Sequence, residues 1–478
     1  MNHIQITELE TEGKVEFKDL VPLAKKFSID KIENSLVKIF CERNGLKPKN
    51  TTINKLIENA SETTTREIDD YLTKRKITLS LKNLERIFEL LIAGSDRKLN
   101  GIFYTPTYIV EYIIKNAIAK SKNYTLCDPS CGSGAFLVES VELLSKKLHK
   151  PFIEIIEKHI YGADILSRSI KRARIILTLL ALQNGENVKE IKFNLIQGDS
   201  LTLDWKERFP EIFKNGGFDA VVGNPPYVRI QNLPLKKREE LRKRWATTTS
   251  GNIDLFIPFV ELGMNIINYD GILGLIIPNS YFNSVSTRKL RQFLQQNRYI
   301  DRILDFNHLQ IFDDVLTYTC ISFFDRKPKE GFEYLCKHDT PDHLTNLDFL
   351  KIDYSSIDPK QWNLLDKENF DNIRKIENIG TPLGQILHIN IGIATLKNDI
   401  YVIENAVLKD GHYEQTWNGE SYKIEKGITK EIIKASVIKN EKEIEENTRR
   451  IIFPYKKVEG KYVILTLSEL NERYPMFM

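Results

Sequence analysis

Thr125-Leu126-Cys127-Asp128-Pro129-Ser130-Cys131-Gly132-Ser133-Gly134-Ala135-Phe136 decides the architecture of this chain. A short apolar run, Thr125–Cys127, reads as a buried strand. Two glycines then let the backbone turn tightly and approach a ligand closely. The stretch from Phe136 to Leu148 repeats apolar residues at Phe136, Leu137, Val141, Leu144 and Leu148, the spacing of a helix with one buried face. Working outward, further β-rich runs lie at Ile160–Asp164, Phe193–Gln197, Phe218–Gly223 and Ile272–Ile277, with amphipathic stretches between them. Strands that alternate with helices predict an α/β domain, a parallel sheet covered on both faces. The last two runs, Arg302–Phe306 and Thr317–Phe324, follow each other without a clear helix and predict an antiparallel hairpin at one sheet edge.

A strand, a glycine turn and a helix together make a nucleotide-type site at the carboxyl end of a parallel sheet. The turn is neither G-x-G-x-x-G nor a Walker A loop, which argues against NAD and ATP. Asp128, ahead of Pro129, Ser130, Gly132 and Gly134, can meet a cationic amino-acid moiety, so S-adenosylmethionine suits the turn better than a pyrophosphate does. Asp164 closes the second strand, where a carboxylate accepts hydrogen bonds from ribose hydroxyls. Asp199, after Gly198, closes the third and could accept from an adenine amine. Three acidic residues at successive strand ends point to one bound adenosyl ligand. The Cys127–Cys131 pair has no second ligand pair at zinc spacing, so no metal site is expected.

The fourth strand runs into Asn224-Pro225-Pro226-Tyr227. Prolines are rigid and have no N–H, so these two present carbonyl oxygens without competing donors. An aromatic amine is a poor nucleophile because its lone pair is delocalised into the ring. Acceptors around the amino hydrogens, here the Asn224 side-chain oxygen and the Pro225 carbonyl, can localise that pair toward a methyl group. Tyr227 offers a ring to stack on a flat base, which must first leave a duplex. Taken alone, the tetrapeptide fits any planar amine or amide; it also resembles that of protein glutamine N5- and RNA guanine N2-methyltransferases, so those acceptors remain open.

Composition is that of an ordinary globular protein, with 41% hydrophobic and 28% charged residues over 478 positions. No apolar run approaches the ~18 residues that span a membrane, and the polar start, Met1–Lys14, lacks the apolar core of a secretory signal. Five cysteines form no disulfide framework and fit a reduced setting. The net charge of +4 does not identify a nucleic-acid binder. Local clustering is more telling: Lys236-Lys237-Arg238 and Arg242-Lys243-Arg244 follow the tetrapeptide and are candidates for contacting DNA phosphates.

In this order and spacing the motifs resemble the γ-class N6-adenine DNA methyltransferases of restriction–modification systems, from about Gly101 to Phe324. Tyr104-Thr105-Pro106 resembles the family's motif X, Asp128–Phe136 its motif I, Asp164 and Asp199 its motifs II and III, and Asn224–Tyr227 its motif IV. Asp254-Leu255-Phe256 resembles motif V, and Ile277-Pro278-Asn279 falls in the family's later core. The resemblance implies a Rossmann-like methyltransferase sheet, S-adenosylmethionine as cofactor and a flipped adenine as target, with Tyr104, Thr105 and Pro106 cradling the methionine end. It also implies a second aromatic against the base after the fifth strand, for which Tyr281 and Phe282 are the candidates. The division it implies is a helical region over 1–95, a catalytic domain over 96–330, a connecting segment over 331–375 and an α+β target-recognition domain over 376–478. Ile391-Gly392-Ile393-Ala394-Thr395 resembles the start of that last domain, and the chain stops at Pro475-Met476-Phe477-Met478 without an evident terminal element, as a shortened domain would. The expected partners are double-stranded DNA and a cognate restriction endonuclease or a specificity subunit, in the cytoplasm of a bacterial or archaeal cell. A modification subunit of a type I system is the other arrangement that this resemblance implies.

Overall fold

A computed structural model describes residue 15 and residues 17–91, 105–119, 121–249, 251, 253–312, 317–337, 344–345, 347–364, 372, 375–376, 379–388, 392–393, 395, 397–434 and 437–476. The chain divides into two compact units, residues 1–378 and 379–478. Tyr104, Ile391 and Ala394, singled out above, lie outside the described residues.

In the first unit the described N-terminal elements are helices: α1 (Phe17–Lys26), α2 (Ile29–Arg43), α3 (Thr51–Glu58), α4 (Glu62–Lys74) and α5 (Leu81–Leu90). Then follow α6 (Thr107–Ala117), β1 (Leu126–Asp128), α7 (Ala135–Leu148), α8 (Phe152–Lys158), β2 (Ile160–Asp164), α9 (Ser167–Gln183) and β3 (Asn194–Gln197). Next come α10 (Trp205–Arg208), α11 (Pro210–Lys214), β4 (Phe218–Gly223), α12 (Leu235–Arg244), α13 (Phe256–Ile266) and β5 (Ile267–Pro278). The unit continues with α14 (Arg288–Asn297), β6 (Ile300–Asp305), β7 (Thr319–Asp325), β8 (Gly331–Cys336) and β9 (Leu350–Asp353).

The strands form one sheet in the order β3-β2-β1-β4-β5-β7-β6-β8-β9. Strands β3 to β5 pair in parallel, which is the mixed α/β sheet expected from the alternation of runs. All six residues of β4 are buried, as a central parallel strand covered on both faces requires. β6 and β7 pair antiparallel, as expected, but β7 lies inside the sheet, also antiparallel to β5. Its physical reason is burial: all seven β7 residues are buried, with Ile321 and Phe323 in the core on one face and Cys320 and Phe324 in the core on the other. The segment read as a connector supplies β8 and β9, which extend the sheet beyond β6.

Helix α9 explains why the N-terminal helices belong to this unit. One side of it, Ile170, Ala173, Leu177 and Leu180, joins the core beside the sheet; another, Ile175, Ile176, Leu179 and Leu182, joins the core of α1–α5. A helix apolar nearly all round is a buried helix. At its centre Arg172 is fully buried and donates to Glu33 of α2 through Nε (2.8 Å) and Nη2 (2.6 Å), and to the Phe88 carbonyl of α5 through Nη1.

The second unit holds small antiparallel sheets built from β10 (Val402–Ile403), β11 (His412–Trp417), β12 (Glu420–Glu425), β13 (Thr429–Glu431), β14 (Arg450–Ile452), β15 (Tyr455–Val458) and β16 (Lys461–Ile464). Its core gathers Ile403, Tyr413, Ile424, Ile428, Ile452, Leu465 and Leu470. The described residues of 388–393 lie in no strand. The β11–β12 hairpin turns at Asn418-Gly419, both at positive φ (51° and 85°), as the tight turn between twisted strands requires.

Candidate active site

The strand ends expected to carry chemistry converge on one cavity of about 500 Å³. Parallel pairing places Asp128 opposite Gly162 and Asp164 opposite Gln197, so the ends of β1, β2 and β3 lie side by side. Asp128, Pro129, Ser130, Gly132, Asp164, Asp199, Asn224, Pro226 and Thr105 all line the cavity.

Each carboxylate is set by backbone donors. Asp128 Oδ1 accepts the Ser130 N–H at 2.9 Å, and burial pushes its carboxyl up to about 8. Asp164 accepts from Gly132 N (3.0 Å) and Leu166 N (2.8 Å), and burial pushes it to about 6. Asp199 accepts from Leu201 N at 3.0 Å and pairs with Lys237 Nζ at 2.7 Å. The glycines are forced here: Gly132 and Gly134 hold φ of +51° and +104°, and a Cβ on Gly223 would stand 2.7 Å from Asp128 Oδ1.

Asn224 leaves the end of β4, and its Nδ2 donates to Thr105 Oγ1 at 3.2 Å while its carbonyl accepts from Ser130 Oγ at 3.3 Å. Residues 119 positions apart are thereby locked together, and the amide end turned to Thr105 is its donor end. Pro225 is buried and Pro226 half-buried, and of the two Pro226 lines the cavity. The Tyr227 hydroxyl donates to the Ile276 carbonyl at 3.0 Å, which fixes the ring.

The aromatic expectation changes. Tyr281 is fully buried, its hydroxyl 3.0 Å from Ser322 Oγ and its ring against Phe282 and Trp362; Phe282 is buried against Tyr334. Neither lines the cavity, because the 3-10 turn after β5 directs both into the sheet core. Among the described residues, Phe312 and Phe256 pack rings against Tyr227, with centroids 6.3 Å and 6.4 Å away. Phe312 comes from the segment between β6 and β7; the sequence signal for it is the Ile311-Phe312 pair between polar Gln310 and Asp313.

The basic run forms α12 and divides by function of place. Lys237 turns onto Asp199 and the cavity, not outward. Arg242 and Arg244 donate to the carbonyls of Gly251 (3.3 Å) and Leu203 (3.2 Å), and Arg238 has its Nε buried. Lys236 and Lys243 are exposed, with no ion pair among the described residues.

The residues fit S-adenosylmethionine. Carboxylates raised by burial favour a cationic ligand, and Leu201, Val228, Leu255 and Phe259 give an apolar wall for a purine. Ile165, missed in the sequence, lines the same cavity although 56% exposed, as a residue that a ring would cover. The cavity falls in the ordinary range for small-molecule sites.

Comparison with known proteins agrees with this geometry. Residues 158–312 match the family model described as Eco57I restriction-modification methylase. The chain is similar to the type II restriction enzyme and methyltransferase RM.Eco57I of Escherichia coli, 28% identical over 435 residues, covering 78% of this chain and 43% of that protein. It is also similar to the type II methyltransferase M.BstVI of Geobacillus stearothermophilus, 25% identical over 353 residues, covering 66% of this chain and 62% of the relative. Among solved structures, the DrdV–DNA complex shares the fold with a TM-score of 0.54 at 17% identity, covering 73% of this chain and 41% of that one. The chain thus spans less than two thirds of the length of each of these relatives.

Proposed function

We propose that this chain transfers a methyl group from S-adenosylmethionine to N6 of an adenine flipped out of double-stranded DNA, as the modification activity of a restriction–modification system. The observation that carries this reading is the placement of Asn224: it stands at the rim of a carboxylate-lined cavity, with its amide donor committed to Thr105. The family match over 158–312 and the names of the type II relatives support the reaction class.

Bound S-adenosylmethionine supplies an electrophilic methyl group on a sulfonium. Asp128, Asp164 and Asp199 would hold it, with Ile165 covering its purine. Asn224 Oδ1 and the Pro225 carbonyl accept the two N6 hydrogens and draw the amine lone pair out of conjugation with the ring; once N6 has taken the methyl group and the sulfonium has become a thioether, N6 loses its surplus proton to water. No strong base is needed, so orientation and fixed dipoles do the catalysis. Tyr227, its hydroxyl held by the Ile276 carbonyl, is the proposed ring against the base. Lys236 and Lys243 are the proposed phosphate contacts, and residues 379–478 the proposed reader of DNA sequence, in concert with a nuclease or specificity partner.

The test is methyl transfer from labelled S-adenosylmethionine to plasmid DNA, RNA and protein, with the product nucleosides identified. Label is expected in N6-methyladenine of DNA. Asn224→Ala should lower transfer by about 10²-fold or more, the usual cost of one lost transition-state contact, while the cofactor Kd stays within about two-fold. Label confined to protein or RNA would overturn the reading.

A further inference from the structure

Two cavity-lining carboxylates come from neither the strand ends nor any motif. Glu85 and Glu89 lie one turn apart on α5 of the N-terminal helices, so they share one face. Glu89 is 7% exposed; its Oε2 accepts the Ser133 N–H at 3.2 Å, and its Oε1 lies 3.3 Å from where a Cβ on Gly132 would be. Glu85 is 6% exposed, lines the cavity beside Thr105 and Ala135, and accepts no hydrogen bond among the described residues. It also borders an adjoining cavity of about 530 Å³.

We propose that Glu89, assisted by Glu85, receives the ammonium group of the cofactor's amino-acid end, so that the N-terminal helices complete the cofactor site. The inference rests on the reading of the cavity given above. Charge carries it. Among the described residues the lining includes Glu85, Glu89, Asp128, Asp164 and Asp199 and, as a cation, Lys237, which is spent on Asp199. At the Glu85–Glu89 end two buried carboxyls face the cavity with no ion pair to either among the described residues; Lys82 and Arg86 act on Glu85 from its own helix. Buried charges are costly unless paired, and the cost shows: burial and the neighbouring Glu89 push the Glu85 carboxyl up to about 8. A ligand ammonium relieves both. A purely structural role for Glu89, as acceptor for the Ser133 N–H, needs an oxygen but not a charge. The position of α5 is itself fixed, since buried Arg172 grips the Phe88 carbonyl next to Glu89.

The experiment compares two neutral thioethers by calorimetric titration: S-adenosylhomocysteine, which carries the ammonium, and 5′-methylthioadenosine, which lacks the whole amino-acid arm. Glu89→Gln keeps the acceptor oxygen and removes the charge. It should weaken S-adenosylhomocysteine about 10- to 100-fold, the worth of one charge-assisted hydrogen bond, and leave 5′-methylthioadenosine within about two-fold. Glu85→Gln should act in the same direction on the same ligand, more weakly. Equal loss for both ligands would mean that the glycine turn had been distorted, and would overturn the proposal, as would no loss for either. If the unaltered chain binds neither ligand, the cofactor reading of the cavity falls first and this inference with it.

Discussion

Replacing Arg172 by methionine removes a fully buried guanidinium that joins α9, α2 and α5. Arg172 and Glu33 are both 0% exposed and meet at 2.6 Å. The arginine's loss strands the Glu33 carboxylate in the core, where breaking one side of a buried pair costs about 3–5 kcal/mol. The lower end applies here, because Lys171 Nζ, 3.7 Å from the other Glu33 oxygen, can approach it from the surface. A loss of about 3 kcal/mol in the unit spanning residues 1–378 lowers the melting temperature by about 4 °C, read by thermal unfolding of the purified chain. The double variant Arg172→Met with Glu33→Leu should recover most of that loss, since apolar residues of similar volume often replace a buried pair at little cost. Both variants should bind S-adenosylmethionine more weakly than the parent, because both lose Arg172's hold on the carbonyl preceding Glu89. A single variant as stable as the parent, or a double variant as unstable as the single, would refute the argument that a stranded carboxylate sets the cost.

Two further outcomes follow from the cavity. Gly223→Ala places a methyl group 2.7 Å from Asp128 Oδ1, an overpacking worth about 1–3 kcal/mol; the protein should fold with a lowered melting temperature and weaker S-adenosylmethionine binding, and an unchanged Kd would contradict the contact. Binding should also release protons at pH 7. Asp128 and Glu85 are both held near 8, by burial first and then by neighbouring carboxylates: Asp164 and Glu89 for Asp128, Glu89 for Glu85, with Lys82 and Arg86 opposing at Glu85. Both are therefore mainly protonated without ligand, and a cation favours their charged forms. The sign for stability follows: folded pKa values above the unfolded carboxylate range of ~4 mean that the ligand-free protein loses stability as pH rises from about 4 to 8. Calorimetry in buffers of different ionisation enthalpy reads the proton count, and proton uptake would be the wrong sign.

The sequence by itself determined what depends on local chemistry. Glycines 132 and 134 had to follow a strand and open a helix, because only they sustain the left-handed backbone there. Asp128, Asp164, Asp199 and Asn224 were legible as strand-end residues, because parallel strands bring their carboxyl ends together once their order is known. Asn418-Gly419 equally announced a hairpin that the reading of residues 376–478 passed over. The tertiary structure decided what depends on which elements become neighbours. Adjacency of β6 and β7 in sequence does not say which of them meets β5; the two buried faces of β7 do. The same burial sends Tyr281 and Phe282 into one core cluster, while Phe312, also buried, packs beside Tyr227 from another. Lys237, one of six basic residues in a run, was indistinguishable from its neighbours until the helix turned it onto Asp199. Glu85 and Glu89 read as ordinary residues of an amphipathic helix, since nothing local marks a carboxylate as facing a cavity. They become site residues only because α9, apolar on opposite sides, packs the N-terminal helices against the sheet and carries α5 to the glycine turn.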